Sequence, residues 1–222
     1  MEFVWNPLSK PKKGSEAEFL RLFKLLRSLR SVDREVINRS ALDKRWNEIQ
    51  VTPYETLSTP RVGIDAAADT WAVARYRAWT NPTQTESEFL QEMKGFYVLQ
   101  LLPTCDGLPR YSNGGIGDAE LFSFRAQLLR NCEEVIGQTT MERCYRSCLA
   151  PALEELGEDL QALATQYADK MSVTQVESFA PSSFEEGGAE QKAHIVLCAA
   201  RWCKYWSYRG HGLAAYWPSD PA

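Results

Sequence analysis

The apolar residues between 145 and 167 recur with the period of an α-helix, and this pattern limits the fold more than any other feature. Their spacing of three or four positions places them along one side of a helix. The set comprises Tyr145, Cys148, Leu149, Ala152, Leu153, Leu156, Leu160, Leu163 and Tyr167. Thr139 and Glu142 have capping-box spacing ahead of it, so we expect one long central helix, bent near Pro151.

Other start signals divide the rest of the chain into helices. Ser15 and Glu18 have capping-box spacing, and so do Thr85 and Glu88. With the apolar stripes that follow, they predict further helices over about 15–29, 33–50, 62–80, 85–101, 118–136 and 189–209.

These elements predict an all-α fold, with residues 1–222 forming a single-domain antiparallel helical bundle of about six to seven helices. A long turn-rich connector lies near 103–117, where prolines and glycines accumulate. The connector either separates two subdomains or links two antiparallel helices, and the pattern leaves both interpretations open.

Composition restricts the class of protein. The formal net charge is −4, which argues against a binder of nucleic-acid phosphates, and no stretch is apolar for long enough to predict a membrane span. The first residues lack the basic start and apolar run of a secretory signal, so we expect a cytoplasmic protein.

No pattern predicts a cofactor, a metal or a catalytic centre. The glycine-rich stretch 113–118 lacks the dinucleotide fingerprint, because Glu120 stands where a third glycine belongs. Cys144, Cys148, Cys198 and Cys203 lack the short gaps of a structural zinc site, so we expect buried thiols. Of the two histidines, His194 lies four residues after Glu190, which favours a pair on a helix surface.

Carboxylates are concentrated in two places on the chain. They are Glu154, Glu155, Glu158 and Asp159 within the central helix, and Glu185 and Glu186 in a loop. Such clusters are typical of a solvated face, and the alternative is a docking patch for a basic protein.

An aromatic set near the C-terminus is too large for one helix face to bury. It comprises Trp202, Tyr205, Trp206, Tyr208, Tyr216 and Trp217. Core packing is the first interpretation, and an interface is the second.

Several pieces of the chain resemble a known group of proteins. They are residues 107–114, the stretch 120–125, the pair Cys144-Tyr145, and Trp71. In these the chain resembles the predicted all-helical immunity proteins of bacterial polymorphic-toxin and type VI secretion systems. The resemblance implies a cytoplasmic antidote, not an enzyme, that binds one cognate toxin domain and blocks its active site.

Such a toxin often has a basic active-site cleft, which an acidic helix and loop can fill. On this hypothesis the partner-binding residues are Glu154, Glu155, Glu158, Asp159, Glu185, Glu186 and, as an aromatic anchor, Trp217.

Two alternatives stay open. The first is a helical enzyme or small-ligand-binding protein with a pocket near the 104–118 loop, using Asp106, Asp118, Glu120 and Arg125. The second is a scaffold that self-associates through the aromatic C-terminal residues.

Overall fold

The structure is a computed structural model that describes residues 3–28, 39–78, 83–102, 108–109, 111–112, 122–173 and 187–216. Its helices are α1 (Glu16–Ser28), α2 (Arg39–Glu48), α3 (Pro53–Thr56), α4 (Ala66–Arg77), α5 (Glu86–Glu92), α6 (Glu133–Cys144), α7 (Ala150–Lys170) and α8 (Ala189–Ser207). Its strands are β1 (Val4–Leu8), β2 (Lys10–Pro11), β3 (Gln50–Val51) and β4 (Gly212–Tyr216). Within these ranges, none of the helices combines the length and the apolar character that crossing a bilayer requires.

Helices α7 and α8 pack against each other over most of their lengths. Gly157, early in α7, lies against Cys203, late in α8, and Ala164 shares a cavity wall with Leu197, nearer the start of α8. The two helices therefore run antiparallel. A Cβ atom at position 157 would lie 2.9 Å from the Cys203 Cβ, so the missing side chain of Gly157 permits this close approach.

The prediction of an all-α fold is wrong in one respect, because the mostly helical chain also contains two small antiparallel sheets. β1 pairs with β4 in a register that places Val4 opposite Tyr216 and Leu8 opposite Gly212. β2 pairs with β3. These strands have two or five residues each and make their hydrogen bonds to distant segments, so they leave no periodic pattern to detect.

Proline determines where α7 begins. Pro151 lies in the first turn of α7, where the helix needs no N–H donor from it. The predicted bend at Pro151 is therefore wrong, because the chain between Cys144 and Ala150 is not helical and the expected central helix is two helices.

The helix end predicted at Gly137 is confirmed, because Gly137 has φ of 70° and divides α6 into two helical stretches. Other predicted boundaries differ from the structure. Residues Ala126–Cys132 form a 3-10 helix instead of α-helix, and the helix predicted over 85–101 ends at Glu92. The Thr85–Glu88 capping box is confirmed, whereas the oxygens of Glu18 accept from Arg45 instead of capping α1.

The main core contains three buried tryptophans from opposite ends of the chain. Trp5 lies 5.6 Å from Trp202 between ring centroids, and Trp202 lies 6.4 Å from Trp206. The Trp5 indole donates to the Cys144 carbonyl at 2.9 Å, and the Trp202 indole donates to the Phe122 carbonyl at 2.8 Å. Core packing is thus confirmed for Trp202 and Trp206, and also for Tyr205, whereas Tyr208 is 75% exposed.

Two smaller apolar clusters lie beside the main core. One joins α4 to α5 through Ala72 and Phe89, and the other joins α1 to Ile49, which follows α2. The predicted connector near 103–117 falls mostly outside the described residues, so its role in dividing the chain stays a prediction.

His211 joins three segments from inside the protein. Its Nδ1 lies 2.9 Å from the Leu8 carbonyl oxygen, and its Nε2 lies 2.8 Å from the Thr56 hydroxyl. Because a carbonyl only accepts, Nδ1 donates to Leu8, and in the neutral ring Nε2 then accepts from the Thr56 hydroxyl. Burial lowers the pKa of His211 to about 4, because the charged ring would lose its hydration.

We expect this histidine to make the protein sensitive to mild acid. Between about pH 6.5 and pH 4 the unfolded chain binds a proton at His211 that the folded chain does not bind, so the free energy of unfolding falls as the pH falls, by roughly 3 kcal/mol in all. Urea denaturation from pH 7.5 to pH 4 measures this loss. His211→Asn keeps a donor for Leu8 without a titrating group, and an equally steep pH dependence in that variant would contradict the assignment.

Candidate partner-binding groove

The structure places four of the predicted partner-binding residues on one helix. Glu154, Glu155, Glu158 and Asp159 all lie in α7, and all four are exposed. Glu185, Glu186 and Trp217 lie outside the described residues. The contribution of the acidic loop and of the aromatic anchor therefore stays a prediction.

The sequence of α7 explains why these carboxylates face outward. Leu153, Leu156 and Leu160 follow each other at intervals of three and four, and all are buried in the main core. Positions 154–155 and 158–159 fall between them and must lie on the opposite side of the helix. The apolar stripe of α7 thus sets the acidic face.

A groove of about 530 Å³ runs beside this acidic face, and we call it the charged groove. Its lining comprises Arg27, Arg143, Arg146, Ser147, Cys148, Ala152, Glu155, Glu158 and Asp159. α7 supplies the carboxylates, whereas the guanidinium groups come from α1, from α6 and from the turn after α6. Among the described residues, the charged groove is therefore lined by three arginines and three carboxylates, whose formal charges sum to zero.

Sequence reasoning missed the arginine side of this groove. Arg27 belongs to α1, and more than one hundred residues separate it from α7. No local pattern joins α1 to α7. The tertiary fold alone brings Arg27 to the carboxylates.

One ion pair crosses the charged groove. Arg143 donates to Asp159, with both side chains partly exposed, and Arg146 lies 3.8 Å from Glu142, four residues before it in the chain. Within the described ranges, Glu154, Glu155 and Glu158 form no ion pair. Three of the four carboxylates at positions 154–159 thus have no ion pair within this part of the chain.

This arrangement does not stabilise α7. Glu154 and Glu158 are four residues apart, as are Glu155 and Asp159, and like charges at that spacing repel each other. None of the four lies in the first turn, where the helix dipole would favour a negative charge. The acidic face therefore works slightly against folding.

The floor of the charged groove is held in place by β4. Cys148 and Leu213 exchange two backbone hydrogen bonds of 2.9 and 2.8 Å, and the Ser147 hydroxyl accepts from the Ala215 N–H at 3.1 Å. These bonds fix the backbone between α6 and α7. The backbone positions from which the Arg146 and Glu155 side chains extend are therefore defined. The groove is preformed on its floor.

Burial keeps four of the described cysteines protonated. It raises the pKa of Cys148, which lines the groove, to about 11 and those of Cys132 and Cys144 to about 12, and it raises the pKa of Cys203 well above its usual range. The predicted burial of Cys144, Cys198 and Cys203 is confirmed, and Cys148 is half-buried. Among the residues that the structure describes, no three His, Cys, Asp or Glu side chains are grouped so that they could hold a metal ion.

The interpretation of Glu190 and His194 as a surface pair is wrong. His194 is buried, because its side of α8 faces the core, and its Nε2 lies 3.4 Å from the Cys198 sulfur. Its ring meets Tyr111 edge-on at 5.8 Å between centroids. His194 is thus a residue of the core.

The alternative pocket near the 104–118 loop stays a prediction. Asp106, Asp118 and Glu120 lie outside the described residues, and only Arg125 of that set is described. The Arg125 N–H donates to the Tyr111 carbonyl at 3.0 Å. Of the described residues of that loop, which are 108, 109, 111 and 112, none lines the charged groove.

The chain was compared with protein-family models, with curated proteins and with solved structures. None of the three comparisons finds a significant match.

Proposed function

We propose that this chain is an immunity protein that binds a cognate bacterial toxin and blocks its active site, with the outer face of α7 as the contact surface. The protein would act in the cytoplasm as a single helical domain, an antiparallel bundle supplemented by the two small sheets. The toxin would belong to a polymorphic-toxin or type VI secretion system.

The observation that carries this proposal is the exposed acidic face of α7. Glu154, Glu155 and Glu158 are exposed, close together and without an ion pair within the described ranges. A role in binding would explain why the chain carries a cluster of carboxylates that lowers its own stability. A basic surface would remove the repulsion between these carboxylates and gain attraction from each of them.

The expected partner is a protein with a basic cleft. Opposite charges accelerate association, and an antidote benefits from a fast encounter with its toxin. The exposed carboxylates of α7 form a ridge that can enter such a cleft, whereas the charged groove beside the ridge can receive side chains of the partner.

Expression together with neighbouring genes tests the proposal directly. Each gene that flanks the gene of this chain in its native host is expressed alone and then together with it. We expect one product to stop growth when expressed alone, and to lose its toxicity and form a stoichiometric complex in the presence of this chain. The proposal fails if no flanking product is toxic and if a salt-washed capture from the host retains no protein.

Charge reversal at the acidic face should separate binding from folding. The double variant Glu155→Lys and Glu158→Lys should reduce the affinity for the toxin by about tenfold or more, mainly through slower association. The same variant should unfold at an equal or slightly higher temperature, because a lysine at position 158 would lie four residues after Glu154 and replace a repulsion with an attraction. Stopped-flow association and thermal denaturation measure the two effects.

A control double variant has the same change in net charge, but at positions away from the groove. Glu133→Lys together with Asp169→Lys alters two exposed carboxylates, and Asp169 lies roughly 15 Å along α7 from Glu158. We expect near-normal association for this control at physiological salt. Equal slowing of association by both double variants would mean that overall charge, and not the face of α7, governs the encounter.

A further inference from the structure

The charged groove presents opposite charges from different elements. Glu155 and Glu158 project from α7, whereas Arg27 comes from the last turn of α1 and Arg146 from the turn after α6. Between them, Arg143 and Asp159 neutralise each other. Within the described part of the chain, two carboxylates and two guanidinium groups of the groove therefore remain available to a ligand.

A ligand of a single charge would be poorly matched to this groove. A purely basic segment would meet Arg27 and Arg146 as well as the carboxylates, and a purely acidic segment would meet Glu155 and Glu158. Like charges brought close together cost free energy, so the groove discriminates against both. A segment that carries both signs satisfies each group with its opposite.

The arginines are suited to a carboxylate. The Arg27 guanidinium carbon lies 5.5 Å from the centroid of the Phe23 ring, a contact that leaves the guanidinium edge free for two parallel hydrogen bonds. Arg146 is 67% exposed and has only the 3.8 Å contact with Glu142 among its ion pairs within the described ranges. Both can therefore donate to an incoming carboxylate.

The dimensions of the groove fit several side chains of a partner. Its volume of about 530 Å³ lies within the range of sites that take up small ligands, and it is open to solvent. The floor held by β4 reduces the ordering that binding requires. An extended protein segment can lie along the groove without a large rearrangement.

We propose that the charged groove binds a segment of the partner protein that carries one basic side chain and one carboxylate a few residues apart. The basic side chain lies between Glu155 and Glu158, and the carboxylate binds Arg27 and Arg146. This inference rests on the proposed function and names the chemistry of the partner, which is a dipolar segment and not a uniformly basic one.

Peptide titration of the full chain tests this chemistry before the partner is known. The probes are three capped tetrapeptides, Lys-Ala-Ala-Glu, Lys-Ala-Ala-Lys and Glu-Ala-Ala-Glu, added to the isotope-labelled protein at constant ionic strength and followed by amide chemical shifts. We expect the Lys-Ala-Ala-Glu peptide to bind about three- to tenfold more tightly than either of the others, as two exposed ion pairs allow. The shifts should be largest at Ser147, Cys148, Ala152 and residues 155–159.

Substitution of one arginine should change the preference. Arg146→Glu leaves the acidic wall in place, so this variant should prefer Lys-Ala-Ala-Lys over Lys-Ala-Ala-Glu. Glu133→Lys, remote from the groove, should keep the original order of the three peptides. The inference is overturned if the three peptides bind equally, or if the shifted amides lie away from the groove.

The two proposals fail in distinguishable ways. If the dipolar peptide binds at the groove but no toxin depends on Glu155 and Glu158, the immunity function fails and the peptide chemistry stands. If the toxin depends on these residues while the three peptides bind equally, the function stands and the dipolar segment is wrong.

Discussion

Replacing Gly212 with alanine should lower the free energy of unfolding by about 3 kcal/mol. A Cβ atom at this position would lie 2.2 Å from the Cys148 carbonyl oxygen and 2.9 Å from the Leu149 Cα. Both obstacles are backbone, so no side chain can rotate away, and β4 must move away from the turn before α7. Chemical denaturation of the variant measures the loss.

The substitution Gly187→Ala is the control for Gly212→Ala. Gly187 has φ of 77°, and no atom of the described residues lies within 4 Å of a Cβ built there, so alanine costs only the left-handed backbone strain of about 1–2 kcal/mol. Gly212 lies outside the left-handed region, and alanine is otherwise preferred over glycine in a strand. A stabilising effect of Gly212→Ala would therefore show that β4 does not lie against Cys148.

Replacing Trp5 with alanine should cost about 3–5 kcal/mol. The Trp5 side chain is fully buried, packs on Phe124 at 5.3 Å between ring centroids, and donates a hydrogen bond to the Cys144 carbonyl. The substitution leaves a large cavity in the main core and an unpaired carbonyl at the end of α6. Denaturant titration should give this loss, whereas a loss below about 1 kcal/mol would mean that β1 is not part of the core.

A comparison of two phenylalanine variants isolates the indole hydrogen bond. Trp5→Phe deletes the donor to Cys144, but Trp206→Phe removes a buried indole N–H that has no hydrogen-bond partner within the described part of the chain. Both substitutions remove similar ring volume. We therefore expect Trp5→Phe to be the more destabilising by about 1–2 kcal/mol, and the reverse order would contradict these hydrogen-bond assignments.

The sequence predicts the helices that carry their own signals. Leu153, Leu156 and Leu160 define the inner side of α7, and the Thr85–Glu88 capping box defines the start of α5. Both signals depend on residues within one or two turns of each other. Such local interactions are what a sequence pattern records directly.

The strands escaped prediction because their stabilising contacts are remote. β1 includes Pro7 and has only five residues, and its partner β4 is at the far end of the chain. No pattern in the sequence around Trp5 indicates that its side chain packs against Trp202. Tertiary packing, not local preference, determines this part of the fold.

The sequence predicts the carboxylates of the candidate site but not its arginines. Positions 154, 155, 158 and 159 follow from the period of α7, so their exposure was expected and is confirmed. Arg27 could not be connected with them, because α1 carries no information about its distance from α7. Arg146 could not either, because the sequence predicts one continuous helix across the turn that contains it. A surface expected to be purely acidic is therefore a groove of mixed charge at one edge.

The pairing of β1 with β4 also sets the order of events during synthesis. Residue Leu8 leaves the ribosome long before His211, which follows it by 203 positions and holds its carbonyl in the folded protein. Until the C-terminal segments are synthesised, the main core that buries Phe3 and Trp5 is incomplete, so the nascent chain exposes both side chains. We therefore expect the main core to close late, at a rate limited by contacts of high sequence separation, although the chain is mostly helical.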